Sequence, residues 1–199
     1  MIQIFTQKTS GIWIAVACTE QQVITTTFAD IEQNALNGVL KNLPLNIPFQ
    51  ILSTPHTCAK DTFTLMADML EGKDVTYSTC LATDKLPKYT VRVLKAVMQI
   101  PTGYIATYGA IAKAVGGGPR AVGNVMAGNL FVPIVPCHRV VKGDFSLGGY
   151  GGGLKIKYQL LTKEKRGYSE PKDVVVNDAG LLRVYPVEVT LNAFMFQTF

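Results

Sequence analysis

The sequence predicts an α+β protein, in which a small N-terminal α/β domain with a short, mainly antiparallel sheet precedes a mostly helical C-terminal domain with a winged-helix-like helix-turn-helix. Two observations support this prediction. Residues 2–28 alternate runs of β-branched and aromatic residues with turn residues. From Leu86 onward the hydrophobic residues recur at helical spacing instead. We therefore divide the chain into an N-terminal domain at 1–83, a helix-turn-helix domain at 84–168 and a C-terminal extension at 169–199.

The N-terminal domain is predicted to begin with a strand meander. Its strands are expected at residues 2–6, 11–18 and 23–28, with a turn at Thr9-Ser10-Gly11. A helix should follow over residues 29–40, where Asp30 stands in position to cap its first turn. A second helix fits residues 58–70.

The C-terminal domain is predicted to contain a helix-turn-helix. A helix with one apolar stripe runs from Leu86 and stops before Pro101. Two short helices follow at 107–115 and 119–127, joined by Gly116-Gly117-Gly118. Small residues are frequent in the second helix, which suits close approach of its backbone to a partner and equally suits ordinary packing between helices.

The last part of the chain is predicted to contain a glycine-dense loop, a helix and a hairpin. The loop covers residues 148–153 and the helix 154–165. In the extension, strands at 174–176 and 181–187 are expected to form a β-hairpin turned by residues 177–180. The loop lacks the Walker lysine and the strand context of a dinucleotide fingerprint, so no nucleotide cofactor is expected.

Composition points to a globular, intracellular protein. With 48% hydrophobic residues in 199, the chain can bury a sizeable core. The N-terminus lacks the layout of a secretory signal and no run of eighteen apolar residues occurs, so we expect no membrane association and a cytoplasmic or, in a eukaryote, nuclear location. Neither a disulfide framework nor a metal site is predicted, because no paired C-x-x-C spacing links the four cysteines Cys18, Cys58, Cys80 and Cys137.

The net charge of +5 is spread unevenly. Residues 82–168 hold 13 basic and 3 acidic residues, a net charge of +10, whereas both flanking parts are net acidic. Such a basic segment favours binding to a polyanion, and nucleic acid is the most common polyanion inside cells. Charge alone fits a solvated basic face equally well.

Cys137 is the candidate nucleophile, because it is followed directly by His138 and Arg139. The thiolate is the reactive form of cysteine, and it needs a proton acceptor or positive charge nearby. Two residues that are adjacent in sequence need not have side chains that face each other. A direct Cys–His hydrogen bond and a relay through a bridging water are therefore both compatible with the sequence. Burial for packing is the more frequent use of an isolated cysteine.

A histidine that acts as a base usually has a carboxylate that orients it. The acid-poor segment 82–168 offers three carboxylates: Asp84, Asp144 and Glu164. We take Glu164 as the most promising of the three.

The pentapeptide Pro-Cys-His-Arg-Val at 136–140 resembles the active-site signature of the O6-alkylguanine-DNA alkyltransferases, also called methylated-DNA-protein-cysteine methyltransferases. The similarity extends from about Leu86 to Gly167. It includes Gly103-Tyr-Ile-Ala-Thr-Tyr108, Arg120-Ala-Val122, Gly128-Asn129, residues 150–153 and Glu164. The N-terminal domain resembles that of the family only in its size and its general residue pattern.

The resemblance implies a role for each residue that matches the family pattern. Cys137 would accept the alkyl group, activated through a water by His138, which Glu164 orients. Asn129 corresponds to a hinge asparagine that ties the backbone beside the active site. Tyr108 would help to rotate the backbone phosphate and bond the flipped guanine.

The resemblance also implies DNA and pocket contacts. Arg120 would enter the base stack in place of the extruded nucleotide. The helix-turn-helix would approach the minor groove through small residues: Ala121, Ala127 and Gly128. The guanine pocket would be formed by Met126, Val140, Tyr150, Gly151 and Gly152.

The resemblance further implies a function, namely repair of O6-alkylguanine in double-stranded DNA by irreversible transfer of the alkyl group to the protein's own cysteine, without a cofactor or metal. Whether this extends to O4-alkylthymine is left open. A monomer is expected, because the damage has no two-fold symmetry. In departure from many relatives, the linker at 116–118 is short, Leu130-Phe131 replaces a frequent proline, and Gly151 stands where some relatives have serine, which predicts room for bulkier groups.

Three other interpretations make different predictions. A non-enzymatic relative that only marks lesions would lack the cysteine, which is present here as Cys137. A cysteine hydrolase with a Cys-His-Glu relay would turn over many substrates. A helix-turn-helix regulator would bind one DNA sequence and tolerate loss of the thiol.

Overall fold

Two four-stranded sheets organise the protein, whose computed structural model describes residues 1–77, 79–176 and 180–195. The predicted α+β fold, with an N-terminal sheet domain and a largely helical C-terminal part, is confirmed. The described residues form two compact units. Unit 1 comprises residues 1–70, 75–85 and 130–134, and unit 2 comprises residues 71–74, 86–129 and 135–195.

Unit 1 is built on a mainly antiparallel sheet. Its strands are β1 (Ile2–Thr9), β2 (Ile12–Cys18), β3 (Val23–Ala29) and β4 (Phe49–Ile51). They lie in the order β3-β2-β1-β4, in which only β4 is parallel to its neighbour. Ser10 and Gly11 have positive φ angles of 49° and 83° and form the tight turn between β1 and β2.

Two helices, α1 (Glu32–Asn42) and α2 (Thr57–Leu70), complete unit 1. Ala35 and Val39 of α1 are buried against Ile4 and other apolar residues of the sheet. The prediction that Asp30 caps this helix is wrong. Ile31 is the N-cap residue and is extended, so Asp30 lies one residue too early for its carboxylate to cap the first turn.

The short segment 130–134 is part of unit 1. The amide of Thr26 donates to the Leu130 carbonyl at 2.9 Å, and the Thr26 hydroxyl donates to the Val132 carbonyl at 2.9 Å. Phe131 is fully buried there. The hydrogen bonds and the burial fix this segment within unit 1.

Unit 2 combines a second sheet with five helices in its described part. The helices are α3 (Lys88–Met98), α4 (Tyr108–Val115), α5 (Pro119–Ala127), α6 (Leu154–Lys163) and α7 (Val187–Met195). The strands are β5 (Tyr104–Thr107), β6 (Val140–Val141), β7 (Lys172–Val176) and β8 (Gly180–Pro186), in the order β6-β5-β8-β7. Within the described ranges, no helix is both long and apolar enough to cross a membrane.

Helices α4 and α5 form the predicted helix-turn-helix. The hydroxyl of Thr107 caps α4 by accepting from the Ala110 amide at 3.1 Å. Gly116 and Gly117 adopt positive φ angles of 84° and 90° in the linker, which other residues rarely do. Pro119 occupies the first turn of α5, where its missing N–H is not needed.

The C-terminal extension packs into unit 2. Strands β7 and β8 pair antiparallel, and β8 also pairs with β5. The predicted turn falls largely on residues 177–179, which lie outside the described residues. Strand β8 ends at Pro186, and Val187, expected to end the strand, instead begins α7, where Val187 and Leu191 are buried in the apolar core of the unit.

Candidate active site

A single 3-10 turn over Cys137–Arg139 brings three consecutive side chains into the interior of unit 2. Cys137 is 7% exposed, His138 1% and Arg139 2%. The turn is tightened by a hydrogen bond from the Cys137 amide to the Val135 carbonyl at 2.7 Å. Because buried polar groups are unfavourable unless they are paired, the partners of these side chains define the site.

Glu164, which caps the C-terminus of α6, is the shared partner of His138 and Arg139. It is fully buried, and its Oε1 lies 2.7 Å from His138 Nε2. Arg139 donates from Nε to both carboxylate oxygens at 3.1 and 3.0 Å, and from Nη2 to Oε1 at 2.9 Å. The carboxylate therefore has a cation on one side and an imidazole on the other.

Arg139 has a structural role that the sequence analysis missed. Its Nη1 donates to the Ile100 carbonyl at 2.6 Å, and its Nη2 donates to Thr102 Oγ1 at 3.1 Å. The guanidinium thus connects the turn, the end of α6 and the segment after α3. No feature of the sequence distinguishes this buried arginine from an exposed one.

The pKa values of the Glu164 carboxyl and the His138 imidazole are both lowered. Burial alone would raise the pKa of Glu164, but His138 and Arg139 outweigh it and hold the pKa at about 2. Burial is the main cause that lowers the pKa of His138, so this imidazole is neutral at pH 7. The ionised carboxylate can only accept, so the ring proton of His138 is on Nε2.

His138 Nδ1 is then the free base of the site. It is buried and has no hydrogen-bond partner among the described residues. A neutral imidazole with Nε2–H held by a carboxylate has its Nδ1 lone pair ready to accept a proton. The geometry supplies a proton acceptor in the residue next to Cys137.

The thiol of Cys137 is shielded from water. Burial is the largest influence on its pKa and raises it, so the thiol form predominates at rest. Hydrogen bonding from the Asn129 side chain, the charge of Lys157 and nearby backbone groups act in the opposite direction. The thiol therefore lies in a setting that opposes spontaneous ionisation while offering several groups that stabilise the anion.

Asn129 holds the backbone next to the nucleophile. Its side chain is buried and donates from Nδ2 to the Val135 carbonyl at 2.9 Å. This hydrogen bond fixes the backbone two residues before Cys137. Asn129 thus combines a backbone tie with stabilisation of the thiolate form.

Lys157, on α6, is a second residue that the sequence analysis missed. It is fully buried, and its Nζ donates to the carbonyl of Val140 at 2.5 Å and to the carbonyl of Leu147. The sequence did contain a signal for its burial: Leu160 and Leu161 follow it at three and four residues, which places all three on the same, buried face of the helix.

Two tyrosines share the electrostatic environment of Cys137. The pKa of Tyr108 and of Tyr150 is raised, mainly by burial and additionally by Cys137. Tyr108 begins α4 and its ring lies where a side chain on Gly148 would contact it at 3.4 Å. Tyr108 and Tyr150 thus pack against the glycine-dense loop, and both lie close enough to Cys137 for its charge to act on them.

The remaining predicted pocket residues differ in packing. Met126 and Val140 are buried, and a side chain on Gly152 would approach the Tyr150 ring at 3.1 Å. A side chain on Gly151 would meet nothing within 4 Å. Gly151 thus borders open space, and Gly152 allows close packing of the tyrosine.

The predicted DNA-contact residues lie on the open side of α5. Val122 and Met126 face inward and are buried. Arg120, Ala127 and Gly128 are exposed, and Ala121 is half-buried. The helix thus presents a surface of small residues with one cation, Arg120, near its beginning. The described contacts do not connect these four residues to Cys137.

Together, the fold and the site define an α+β protein of the helix-turn-helix type with a buried cysteine, histidine and glutamate arrangement. Residues 88–166 match the family model described as 6-O-methylguanine DNA methyltransferase, DNA binding domain. Over this segment the chain is thus similar to the 6-O-methylguanine DNA methyltransferases, in agreement with the resemblance seen in the sequence.

Individual proteins show the same similarity. A methylated-DNA–protein-cysteine methyltransferase of Pyrobaculum aerophilum is 53% identical over 68 residues, which are 34% of this chain and 46% of the relative. One of the same name from Methanothermobacter thermautotrophicus is 35% identical over 113 residues, 56% of this chain and 64% of the relative. The chain thus spans about half to two thirds of the length of these curated relatives.

The similarity in structure covers more of the chain. A crystal structure of Mycobacterium tuberculosis OGT in complex with DNA is 25% identical, with a TM-score of 0.64 over 82% of this chain and 92% of that chain. The O6-methylguanine-DNA methyltransferase of Pyrococcus kodakaraensis strain KOD1 shares the fold at a TM-score of 0.63, covering 82% of this chain and 99% of that chain at 24% identity.

Proposed function

We propose that this protein repairs O6-alkylguanine in double-stranded DNA by moving the alkyl group to Cys137, once per molecule. The observation that carries the proposal is the buried thiol beside a neutral His138 whose Nε2–H is held by Glu164 at 2.7 Å. The match of residues 88–166 to the methyltransferase family model supports it. The names of the relatives supply the substrate class.

The transfer is a displacement at the alkyl carbon. The Cys137 proton moves to His138 Nδ1, directly or through one water, and Glu164 stabilises the imidazolium that forms. The thiolate attacks the alkyl carbon, the bond from carbon to guanine O6 breaks, and the electron pair stays on the guanine. The guanine then takes up a proton, and Cys137 remains as a thioether.

The thioether explains why the reaction occurs once. A carbon–sulfur bond of this type is not an ester, and none of the groups around Cys137 is arranged to hydrolyse it. The protein is therefore consumed, and repair is stoichiometric. A hydrolase with the same three residues would form a hydrolysable acyl intermediate instead.

The target base has to leave the duplex before the buried thiol can reach it. The exposed side of α5 suits this step, because Ala127 and Gly128 let a backbone approach closely and Arg120 can fill the gap in the base stack. Groove contacts without base-specific hydrogen bonds fit a lesion that occurs in any sequence. A monomer is sufficient for such a target, and the protein would act wherever the DNA of the cell is.

The direct test measures the intact mass of the protein after incubation with a duplex that contains O6-methylguanine. We expect the wild type to gain one methyl group and to stop after one equivalent. Cys137→Ser should gain none, and the matched control Cys58→Ser should behave as the wild type. Substrate consumption beyond one equivalent without an adduct would instead support the hydrolase.

The role of Arg120 is tested by comparing substrates inside and outside a duplex. Arg120→Ala should slow transfer from duplex DNA about tenfold or more and leave the rate with free O6-benzylguanine unchanged, because a free base needs no extrusion. Lys113→Ala, a change at another exposed cation of this domain, is the control. Equal slowing on both substrates would contradict a role in base extrusion.

A further inference from the structure

Lys157 is a fully buried lysine in the same site as Cys137, and the proton transfer described above does not use it. Lysine is almost never fully buried unless its charge is paired. Its side chain reaches inward from α6, the helix whose C-cap residue is Glu164. The cost of burying an ammonium group calls for a compensating interaction.

The direct contacts of Lys157 are two backbone carbonyls. Nζ donates to the Val140 oxygen at 2.5 Å and to the Leu147 oxygen. An ammonium group has three N–H donors, so these contacts use two of them. The two carbonyls hold the group in place but carry no formal charge.

The other charged groups of the site are already matched. Glu164 is paired with Arg139 through three N–H contacts, and burial keeps His138 neutral. The Cys137 thiolate is the anion that interacts electrostatically with Lys157, and each group favours the charged form of the other. The positive charge of the lysine is therefore matched only when the thiol has lost its proton.

The phenols around the thiol do not supply an alternative anion. The pKa of both Tyr108 and Tyr150 is raised, chiefly by burial, so both are neutral at pH 7. A negative charge on Cys137 raises the pKa of both phenols further and so opposes their ionisation. Among the described residues around Lys157, the Cys137 sulfur is thus the group beyond Glu164 that can hold a negative charge.

We propose that Lys157 is a positioning residue of the alkyl-transfer site, whose ammonium group fixes the Val140 and Leu147 carbonyls and supplies the positive charge that stabilises the Cys137 thiolate. This proposal rests on the proposed function for its role in transfer. Its physical content, a coupling between the two charges, is independent of any substrate.

The coupling has a consequence for the pH dependence of the site. Burial lowers the pKa of Lys157 to about 8, so the ammonium loses its proton as the pH rises through that value. The thiolate then loses its support. Cys137 and Lys157 titrate as a coupled pair, and the apparent pKa of the thiol belongs to the pair. The charge of Lys157 also acts on His138, whereas Glu164 stays ionised over this pH range.

The test follows the labelling of Cys137 by iodoacetamide against pH in the full chain without DNA, with peptide mass spectrometry to separate it from the other cysteines. Lys157→Met removes the charge and keeps an apolar stem, and Lys157→Arg keeps the charge. Lys155→Met, at an exposed lysine on the same helix, is the matched control. Circular dichroism establishes that each variant is folded.

We expect Lys157→Met to raise the labelling midpoint by about one pH unit or more, which lowers the labelling rate at neutral pH about tenfold. Lys157→Arg should restore most of the rate, and Lys155→Met should match the wild type. An unchanged midpoint in folded Lys157→Met, or an equal shift in Lys155→Met, would overturn the proposal.

A reciprocal measurement covers the case in which Lys157→Met does not fold. Nuclear magnetic resonance of the lysine Nζ gives the pKa of Lys157 in the wild type and in Cys137→Ala, a small change at a single site. The pKa should be lower in Cys137→Ala, because the group that supports the ammonium is gone, and equal values would overturn the proposal. A wild type that transfers no alkyl group would refute the proposed function and leave both of these charge measurements interpretable.

Discussion

Cys18 in unit 1 and Cys137 in unit 2 are both buried cysteines, yet the groups that surround them shift the pKa of the thiol in opposite directions. Burial raises the pKa of Cys18 to about 12, and the neighbouring Cys58 raises it further by its charge and its hydrogen bond. Burial also raises the pKa of Cys137, but Asn129, Lys157 and backbone groups all act to lower it. Cys18 is fully buried, whereas Cys137 is 7% exposed.

The histidines near these two thiols differ in the same way. His56 lies 3.7 Å from the Cys18 sulfur through Nε2, and its ring packs edge-on against Phe5. His138 has its Nε2 held by a buried carboxylate, which fixes the ring and its tautomer. A cysteine and a histidine in proximity are therefore not sufficient for a nucleophile, since the orienting carboxylate and the groups that stabilise the thiolate are found at only one of these two sites.

The largest expected effect comes from removing the base at one of the two sites. His138→Gln should slow alkyl transfer about 10² to 10⁴-fold, because proton removal from the buried thiol then lacks an acceptor. The measurement is a single-turnover rate with O6-methylguanine duplex DNA. The matched variant His56→Gln should transfer at the wild-type rate, and equal losses in the two variants would contradict the distinction between the sites.

Loss of the orienting carboxylate should mainly reduce stability. Glu164→Ala leaves Arg139 and His138 buried without their partner, which is expected to cost about 3 to 5 kcal/mol in the free energy of unfolding measured with urea. Glu170→Ala, at an exposed carboxylate, should change it by less than about 0.5 kcal/mol. A small effect at Glu164 would show that the buried ion pair is not maintained in solution.

The same carboxylate predicts a pH dependence of stability. The pKa of Glu164 is about 2 in the folded protein against an ordinary value of 4.5, so its contribution is fully present above about pH 4.5. The contribution is lost as the pH falls towards 2, where the carboxylate takes up a proton. The difference in unfolding free energy between wild type and Glu164→Gln should therefore narrow on acidification below pH 4.5, and a constant difference would contradict the depressed pKa.

Access to the thiol gives the smallest expected effect. Gly151→Ser should slow transfer of a benzyl group about tenfold relative to a methyl group, because a side chain there extends into open space beside Tyr150. Gly149→Ser adds the same atoms at another unobstructed position of the loop and serves as the control. If free O6-benzylguanine failed to label the wild type while methylated DNA did, the prediction of extra room from Gly151 would be wrong.

Much of the fold could be predicted from local patterns. The first three strands and the helix at Pro119–Ala127 have clear sequence signals, namely alternation, a turn at Ser10-Gly11 and a proline in the first helical turn. Strands β4, β5 and β6 have three, four and two residues, too few to show alternation, and they depend on pairing with distant segments. Helix α7 was missed because a short apolar run fits a strand and a helix equally well.

The candidate site was predictable in part. The motif and the scarcity of carboxylates led to Cys137, His138 and Glu164, and the structure brings the last two into direct contact. The burial of Arg139 and the presence of Lys157 in the site were not predicted, because burial of a charge depends on partners that come from other elements. The roles of these residues in transfer stay predictions until they are measured.

The most direct test of the account is to locate the methyl group after the wild-type protein has reacted with O6-methylguanine duplex DNA. Proteolysis and fragment mass spectrometry distinguish the four cysteines, Cys18, Cys58, Cys80 and Cys137. We predict that the methyl group is found on Cys137 alone, at up to one equivalent. Methylation of Cys18 or of several cysteines alike would contradict the claim that the groups around Cys137 select it as the acceptor.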